Sequence, residues 1–345
     1  MASRSSVPRE PDLFADAPVA DGPPPFDDGD PIRVGTASWT DKTLIDCGRF
    51  YPAGATSAEA RLRHYASLFS LVEVDSSYYA MPVPATAALW AERTPAGFRM
   101  NVKAFRLFTD HPAAPKVLPP DVREALPKAL AAAPRISLGE LPRELVDLLW
   151  QRFREALVPL LDADRLGLVH FQFAPWVREG DAGRALAEEA AARLAPVPIS
   201  VEWRHRSWFA DDATTGATLD LLRGLGAAHT VVDGPRGFSN SVPAVWRATS
   251  ERFALVRLHG RNARTWNIRG ATSASDRFNY DYPEEELTAL VPPIVALAGE
   301  ALETHVVFNN NMEDQGQRNA RTLTPVRVAT SPIRIASLSD SAANT

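Results

Sequence analysis

Short runs of apolar residues alternate along the chain with stretches in which apolar residues recur every three or four positions. The first pattern is typical of buried β-strands and the second of amphipathic helices. Strand-like runs occur in the order IRVGTASW, SLVEVDSSYY, FRMNVKAF, LGLVHFQFAP, PISVEWRH, AHTVVD, FALVRLHG and THVVFNNN. Eight strands that alternate with helices pair in parallel through right-handed crossovers and close most economically into a barrel. The pattern therefore predicts an α/β fold, a TIM-like β/α barrel that is either regular or irregular and incompletely closed.

Several predicted helices carry recognisable end signals. Thr56 followed by Glu59 predicts a capping box in front of AEARLRHYASLF. Gly224 and Gly226 stand at the end of ATLDLLRGLG, where helix C-caps prefer glycine. Each of these helices leads into a predicted strand, as a β/α repeat requires.

The same patterns divide the chain into three regions. Residues 1–31 are rich in Pro, Asp and Ala and offer no apolar face, so we expect a disordered acidic tail. Residues 32–325 form one predicted barrel domain, and 326–345 a flexible C-terminal tail. Within the barrel, about 106–165 is long enough for a helical insertion after strand three, placed over the barrel mouth.

Composition narrows the class of protein. The chain has 345 residues, of which 45% are hydrophobic and 23% charged, and this is ordinary for a globular protein with a full core. A formal net charge of -5 argues against a broadly basic surface, so nucleic acid is a less favoured partner than a small molecule. A single cysteine, Cys47, fits a reducing compartment. The N-terminus lacks an apolar signal region and the chain lacks a long apolar run, so we expect a cytoplasmic protein with no membrane partner.

Polar residues cluster where the predicted strands end. Barrel strands point alternate residues inward, and active sites of this fold lie at the carboxyl ends of the strands. The polar residues at these ends are Glu73, Asp75, Asn101, Lys103, Gln172, Glu202, Arg204, Asp233, Arg257, His259, Asn309 and Asn310. A buried ion network that only neutralises itself is the alternative. Because buried charges are costly and add little net stability, polar ends on seven strands favour a ligand site.

Aromatic residues follow several of the same strands. They are Trp39, Tyr78, Tyr79, Trp176, Trp208 and Trp266. Rings beside carboxylates and amides suit a sugar, a nucleobase or another flat ligand, although each ring could equally pack between helix and strand.

The favoured hypothesis is an enzyme, a hydrolase or an isomerase, acting on an anionic small molecule, a sugar phosphate or a nucleotide. Glu73, Glu202 and His259 are the candidate catalytic residues, because opposed carboxylates in one pocket can take different protonation states. Candidate substrate-binding residues are Trp39, Asp75, Tyr78, Lys103, Gln172, Arg204, Trp208, Arg257, Asn309 and Asn310.

A divalent metal is an open alternative for the same site. Glu73, Asp75, Glu202, Asp233 and His259 supply oxygen and imidazole donors. Three cations beside these acids would compete with a metal, so a metal is not favoured and no residue is assigned to one. The chain has no phosphate-loop, dinucleotide-binding, HExxH or CxxC motif.

A noncatalytic module that binds nucleic acid or a metabolite is the second hypothesis. Such a module needs donors and rings but no opposed buried carboxylates, and this difference favours the enzyme.

Taken together, the strand-end motifs resemble the YecE-like proteins, known as domain of unknown function 72. The resemblance rests on VGTASW, YASLFSLVEVDSSYYAMP, FRMNVKAF, FQFAPW, VEWRHRSW, VRLHGRN, YDY and VVFNNNMEDQGQRNA, in the family's order. It implies a TIM-barrel-like fold with a polar pocket at the strand ends, and it assigns no activity. The chain departs from the family pattern in FQFAPW, where a leucine and paired prolines more often follow the glutamine, and in its long insertion after strand three.

Overall fold

The computed structural model describes residues 30–268, 270 and 275–330. All eight predicted strands are present in the predicted order. They are β1 (Ile32–Ala37), β2 (Leu71–Val74), β3 (Arg99–Lys103), β4 (Leu166–Gln172), β5 (Ile199–Glu202), β6 (Ala228–Asp233), β7 (Phe253–Leu258) and β8 (Glu303–Phe308). Each strand pairs in parallel with the next, and β8 pairs with β1, so the barrel is closed. The predicted TIM-like fold is confirmed in its regular, closed form.

Helices surround the barrel. They are α1 (Lys42–Asp46), α2 (Ala58–Ala66), α3 (Ser76–Tyr79), α4 (Pro84–Glu92), α5 (Pro120–Glu124), α6 (Lys128–Ala131), α7 (Arg143–Asp162), α8 (Asp181–Leu194), α9 (Asp212–Gly224), α10 (Glu284–Ala298) and α11 (Gln315–Thr330). Short 3₁₀ turns occupy Arg106–Thr109, Pro115–Val117, Leu138–Glu140, Arg206–Phe209 and Ser275–Phe278. The connection from β6 to β7, residues 234–252, contains no helix.

The predicted insertion after β3 consists of two parts. Residues 106–142 form short turns and the small helices α5 and α6, and a single antiparallel bridge joins Ala113 to Ile136. The longer α7 is the ordinary crossover helix between β3 and β4. It buries an apolar face that includes Leu149 and Phe153, at the i, i+4 spacing that places both on one side of a helix.

The two predicted tails lie largely outside the described residues. Of the N-terminal tail only residues 30 and 31 are described, and they lead directly into β1. Of the C-terminal tail only 326–330 are described, and they continue α11.

One predicted helix start is corrected by one residue. The N-cap of α2 is Ser57, whose hydroxyl oxygen accepts a hydrogen bond from the Ala60 amide, so Thr56 does not form the predicted capping box. Glu59 points along the helix and pairs with Arg63 at 2.8 Å. At the end of α9, Gly226 adopts the predicted left-handed conformation, with φ +65.

The barrel interior is layered along its axis. A small group of apolar side chains, including Leu71, Leu168 and Leu255, fills the middle and is separate from the main core between strands and helices. Glycine at position 35 allows β1 and β2 to approach closely, because a Cβ there would lie 1.8 Å from the Leu71 carbonyl oxygen. Since successive inward side chains are two residues apart, the strand ends beyond the apolar layer carry inward-facing polar groups.

Candidate functional site

A fully buried arginine lies at the centre of the site. The Arg257 guanidinium donates from Nε to Glu73 Oε2 at 2.9 Å and from Nη2 to Glu73 Oε1 at 2.7 Å. Its remaining nitrogen, Nη1, donates to Glu202 Oε2 at 2.6 Å. One guanidinium from β7 therefore joins a carboxylate from β2 to a carboxylate from β5.

Glu202 accepts hydrogen bonds from three further side chains. Gln172 Nε2 donates to its Oε1 at 2.6 Å, and Arg204 Nη1 approaches the same oxygen at 3.3 Å. His259 Nε2 lies 3.1 Å from Oε1 as well. Because a carboxylate is an acceptor only, these donors fully occupy Oε1 of Glu202, while Oε2 accepts from Arg257.

His259 is fixed on both ring nitrogens. Its Nδ1 lies 2.8 Å from Asn309 Nδ2, which can only donate, so the network assigns the proton to Nε2, facing Glu202. Burial lowers the pKa of His259 to about 4, which keeps the ring neutral near pH 7. His259 therefore holds Glu202 and Asn309 in place and offers no free nitrogen.

A second buried histidine, His170, belongs to this centre and was not among the predicted site residues. Its Nδ1 lies 2.9 Å from Ser200 Oγ, and its Nε2 lies 3.4 Å from Glu202 Oε2. The signal that could have found it is its position two residues before Gln172, on the same face of β4.

The charges of this centre keep the two glutamates ionised. Burial alone would raise the pKa of Glu73, but Arg257, followed by His170 and Lys103, outweighs it and lowers that pKa. Burial is likewise the largest single influence on Glu202, yet Arg257 and His259 hold its pKa well below the ordinary range. Both carboxylates are thus ionised near neutral pH, which disfavours the predicted role of either as a proton donor.

Two titratable groups beside this centre are not part of its hydrogen-bond network. Asp75 follows β2 and lies partly buried, and burial raises its pKa to about 6 against the opposing influence of Lys103. Lys103, the last residue of β3, has its pKa lowered by burial and by Arg257. In the described chain, Glu73, Asp75 and Glu202 attract the Lys103 ammonium, but no carboxylate oxygen lies within 4.0 Å of it. The face of Tyr78 also lies near this ammonium, with Nζ 5.0 Å from the ring centroid.

Arg204 completes the inner ring of cations. Its guanidinium carbon lies 5.0 Å from the centroid of Trp266, which is buried. Burial lowers the pKa of Arg204, although Glu202 opposes this. Phe278 stacks on His259 at 5.5 Å and closes the same side of the site.

Four predicted residues lie away from the centre. Trp208 is fully buried and stacks on Trp203 at 3.6 Å, between strand and helix. Trp39 is buried edge-on against Trp90 of α4. The side chains of the other two point away from the barrel interior.

The first of these is Asn310, which donates from Nδ2 to Asn319 Oδ1 of α11 at 2.7 Å. The second is Asp233, which binds Arg261 and accepts a hydrogen bond from the Tyr282 hydroxyl at 2.7 Å. Each of the four therefore has a packing or pairing role, and the site consists of the inward-facing residues.

The donors at the strand ends do not form a metal site. Across the described residues, no three His, Cys, Asp or Glu side chains group together in a way that could hold a metal ion. Arg257 binds both oxygens of Glu73 and one oxygen of Glu202, so these acids, considered above as metal ligands, already accept hydrogen bonds from a cation.

In the part of the chain that the structure describes, no helix is both long and apolar enough to cross a membrane.

A closed eight-stranded parallel barrel with its charged centre at the carboxyl ends of the strands defines a TIM-like β/α barrel protein. Comparison of sequences is more specific: the chain belongs to the family described as "Protein of unknown function DUF72", whose model matches residues 33–333. The resemblance seen in the strand-end motifs is therefore confirmed.

Relatives agree with this assignment. The UPF0759 protein YunF of Bacillus subtilis is 29% identical over 294 residues, covering 85% of this chain and 93% of its own. A crystal structure of a DUF72 family protein from Thermotoga maritima superposes with a TM-score of 0.66 at 26% identity, covering 85% of this chain and 98% of the other. A DUF72 family protein from Enterococcus faecalis gives a TM-score of 0.69 at 23% identity, over 86% and 95% of the two chains, and this likeness concerns the fold alone.

Proposed function

We propose that this protein is an enzyme that binds an anionic small molecule, such as a sugar phosphate or a nucleotide, at the carboxyl ends of the barrel strands. The observation that carries the proposal is the Lys103 ammonium, which is partly buried beside Asp75 and has no carboxylate oxygen within 4.0 Å in the described chain. Holding an unpaired cation in a partly desolvated place is costly, and an anionic ligand would offset that cost.

The chemistry that suits this pair is proton transfer. A carboxyl group with a pKa of about 6 can both release and accept a proton near neutral pH, which is what a general acid or base requires. We assign this role to Asp75, with Lys103 binding the anion. Glu73 and Glu202, together with the neutral His259, then act as a rigid support, and the reaction class is that of a hydrolase or an isomerase.

A noncatalytic binding protein is the second candidate. It is favoured by one observation, namely that the central glutamates already form buried ion pairs with Arg257. The two candidates differ in the role of Asp75, because a binding protein needs Lys103 but has no use for a carboxyl group that titrates near neutral pH.

The experiment is a ligand screen with matched lysine variants. Thermal shifts are measured with phosphate, sugar phosphates and nucleotides for the wild type, Lys103→Met and Lys128→Met, where Lys128 is an exposed residue of α6. We expect an anion to raise the Tm of the wild type and of Lys128→Met but not of Lys103→Met. An anion response that survives in Lys103→Met would overturn the proposed binding site. Turnover of the hit that is lost in Asp75→Asn would select the enzyme, and binding without turnover in the wild type the second candidate.

A further inference from the structure

Four rings form a continuous row along one side of the barrel mouth. Tyr79 meets Tyr78 at 5.0 Å between ring centroids, Tyr78 meets His111 at 5.4 Å, and His111 meets Trp176 at 5.4 Å. Each contact is close to edge-on, the geometry that aromatic pairs prefer. We call this set the aromatic row; it runs from α3 through the insertion to the loop after β4.

The outer end of the row is an exposed tryptophan held in a fixed orientation. Trp176 exposes 54% of its surface, although it is one of the largest apolar side chains in the protein. Its Nε1 donates to Asp110 Oδ2 at 2.7 Å, so the indole cannot turn freely. A large ring that is anchored at its edge and more than half exposed offers a stacking surface.

Tyr78, the second ring of the row, lies beside two cations. Lys103 Nζ lies 5.0 Å and the Arg106 guanidinium carbon 5.2 Å from the centroid of Tyr78. Arg106 Nε is buried without a hydrogen-bond partner, and neither cation has a carboxylate oxygen within 4.0 Å in the described chain. A buried donor without a partner is costly, so the pair is short of an acceptor at this point.

Charge selects the kind of group that two cations beside the same ring would bind. A phosphate ester carries about −1.5 to −2 charges near pH 7 and offers three strong acceptor oxygens, which matches one ammonium and one guanidinium. A carboxylate, with a single charge, would leave one of them uncompensated.

We propose that the ligand is a planar ring joined to a phosphate, of the mononucleotide class, with its phosphate bound by Lys103 and Arg106 and its ring stacked on Trp176. This inference rests on the proposed anion site and names its substrate class. It also gives the insertion a role, because Arg106, Asp110 and His111 all come from the segment that directly follows β3. The row links the phosphate end to the ring end through contacts of fixed geometry.

The test compares probes that differ only in the ring or the phosphate. Isothermal titration is carried out with adenosine 5′-monophosphate, ribose 5-phosphate and adenosine, on the wild type, Trp176→Leu, Trp176→Phe and Arg106→Gln. Arg154→Gln, at an exposed position of α7, is the control for Arg106.

We expect the mononucleotide to bind about 5- to 150-fold more tightly than ribose 5-phosphate, because stacking of a base on an aromatic ring contributes about 1–3 kcal/mol. Trp176→Leu should remove most of that difference and leave ribose 5-phosphate unchanged, whereas Trp176→Phe should retain part of it. Arg106→Gln should weaken both phosphates by about tenfold, and Arg154→Gln neither.

Failure of this inference can be told from failure of the proposed function. Equal affinity of the wild type for the mononucleotide and ribose 5-phosphate, or equal losses for both in Trp176→Leu, would overturn the stacked ring while leaving the anion site in place. A wild type that binds neither phosphate, while another anion responds in the Lys103 screen, would overturn the phosphate class. No response to any anion would overturn both proposals.

Discussion

Arg257 binds Glu73 through two parallel hydrogen bonds of 2.9 and 2.7 Å, at a depth where neither side chain exposes any surface. Such an arrangement is typical of the strongest arginine–carboxylate pairs, because the planar fork of the guanidinium matches both oxygens. The third arm of the same guanidinium reaches Glu202 at 2.6 Å. The charged centre is therefore a rigid unit, and Asp75 and Lys103 lie beside it.

Glu73→Gln should destabilise the barrel strongly. The substitution removes a charge that compensates the buried Arg257, and breaking such a buried pair typically costs about 3–5 kcal/mol. Urea unfolding followed by tryptophan fluorescence measures the change in the free energy of unfolding. Glu59→Gln is the control, because Glu59 forms an exposed pair with Arg63 and its loss should leave the unfolding midpoint almost unchanged. Equal effects of the two substitutions would contradict a structural role for the Arg257 pair.

Asp75→Asn should change how stability depends on pH. Between about pH 4 and pH 6 the folded protein keeps on Asp75 a proton that the unfolded chain has released, so this residue makes the wild type less stable as pH rises through that window. Above pH 6 the penalty is complete and constant. The variant, which cannot titrate, should therefore exceed the wild type at pH 7 by on the order of 2 kcal/mol and match it near pH 4.

Urea unfolding of both proteins at pH 4, 5, 6 and 7 measures this difference. A constant difference across the series would mean that Asp75 titrates normally, which would also remove its qualification as the acid or base of the proposed reaction.

Lys103→Met should make the protein without ligand more stable. The folded state disfavours the charged form of this lysine, through burial and then through Arg257, and methionine fills a similar volume without a charge. A stabilising change that abolishes binding is typical of a functional site, where a costly group is kept for its ligand. Thermal unfolding of the protein without ligand measures it, with the exposed Lys128→Met as the neutral reference. A lower Tm for Lys103→Met alone would indicate that the ammonium has a stabilising role in the fold.

The fold could be predicted because the strand-like runs and the helical periodicity both agree with it. Apolar runs of strand length alternate with helical periodicity eight times, and a closed parallel barrel satisfies all of them at once. The rule that inward residues are two apart also found Glu73, Lys103, Glu202 and Arg257. What it could not find was their partners, because pairing depends on which strand ends face each other across the barrel.

Some residues were placed wrongly or missed from the sequence, and they show where the rule that inward-facing residues are two apart fails. Asn309 and Asn310 are adjacent, so only one of them can face inward, and the register of β8 gives that place to Asn309. His170 escaped notice because its neighbours on β4 are aromatic and apolar, although it shares a face with Gln172. Trp208 follows β5 closely in sequence, yet it stacks on Trp203 and is fully buried.

Ser57→Ala tests the one helix start that the sequence placed wrongly. Thr56 and Ser57 both precede α2 and both carry a hydroxyl, so their pattern alone could not decide which one caps the helix. Only the Ser57 hydroxyl accepts the Ala60 amide, at 3.0 Å, in the described structure. Ser57→Ala should therefore cost about 1 kcal/mol in the free energy of unfolding, whereas Thr56→Ala should cost far less. Urea unfolding of the two variants side by side decides it, and a larger loss from Thr56→Ala would restore the capping box predicted from the sequence.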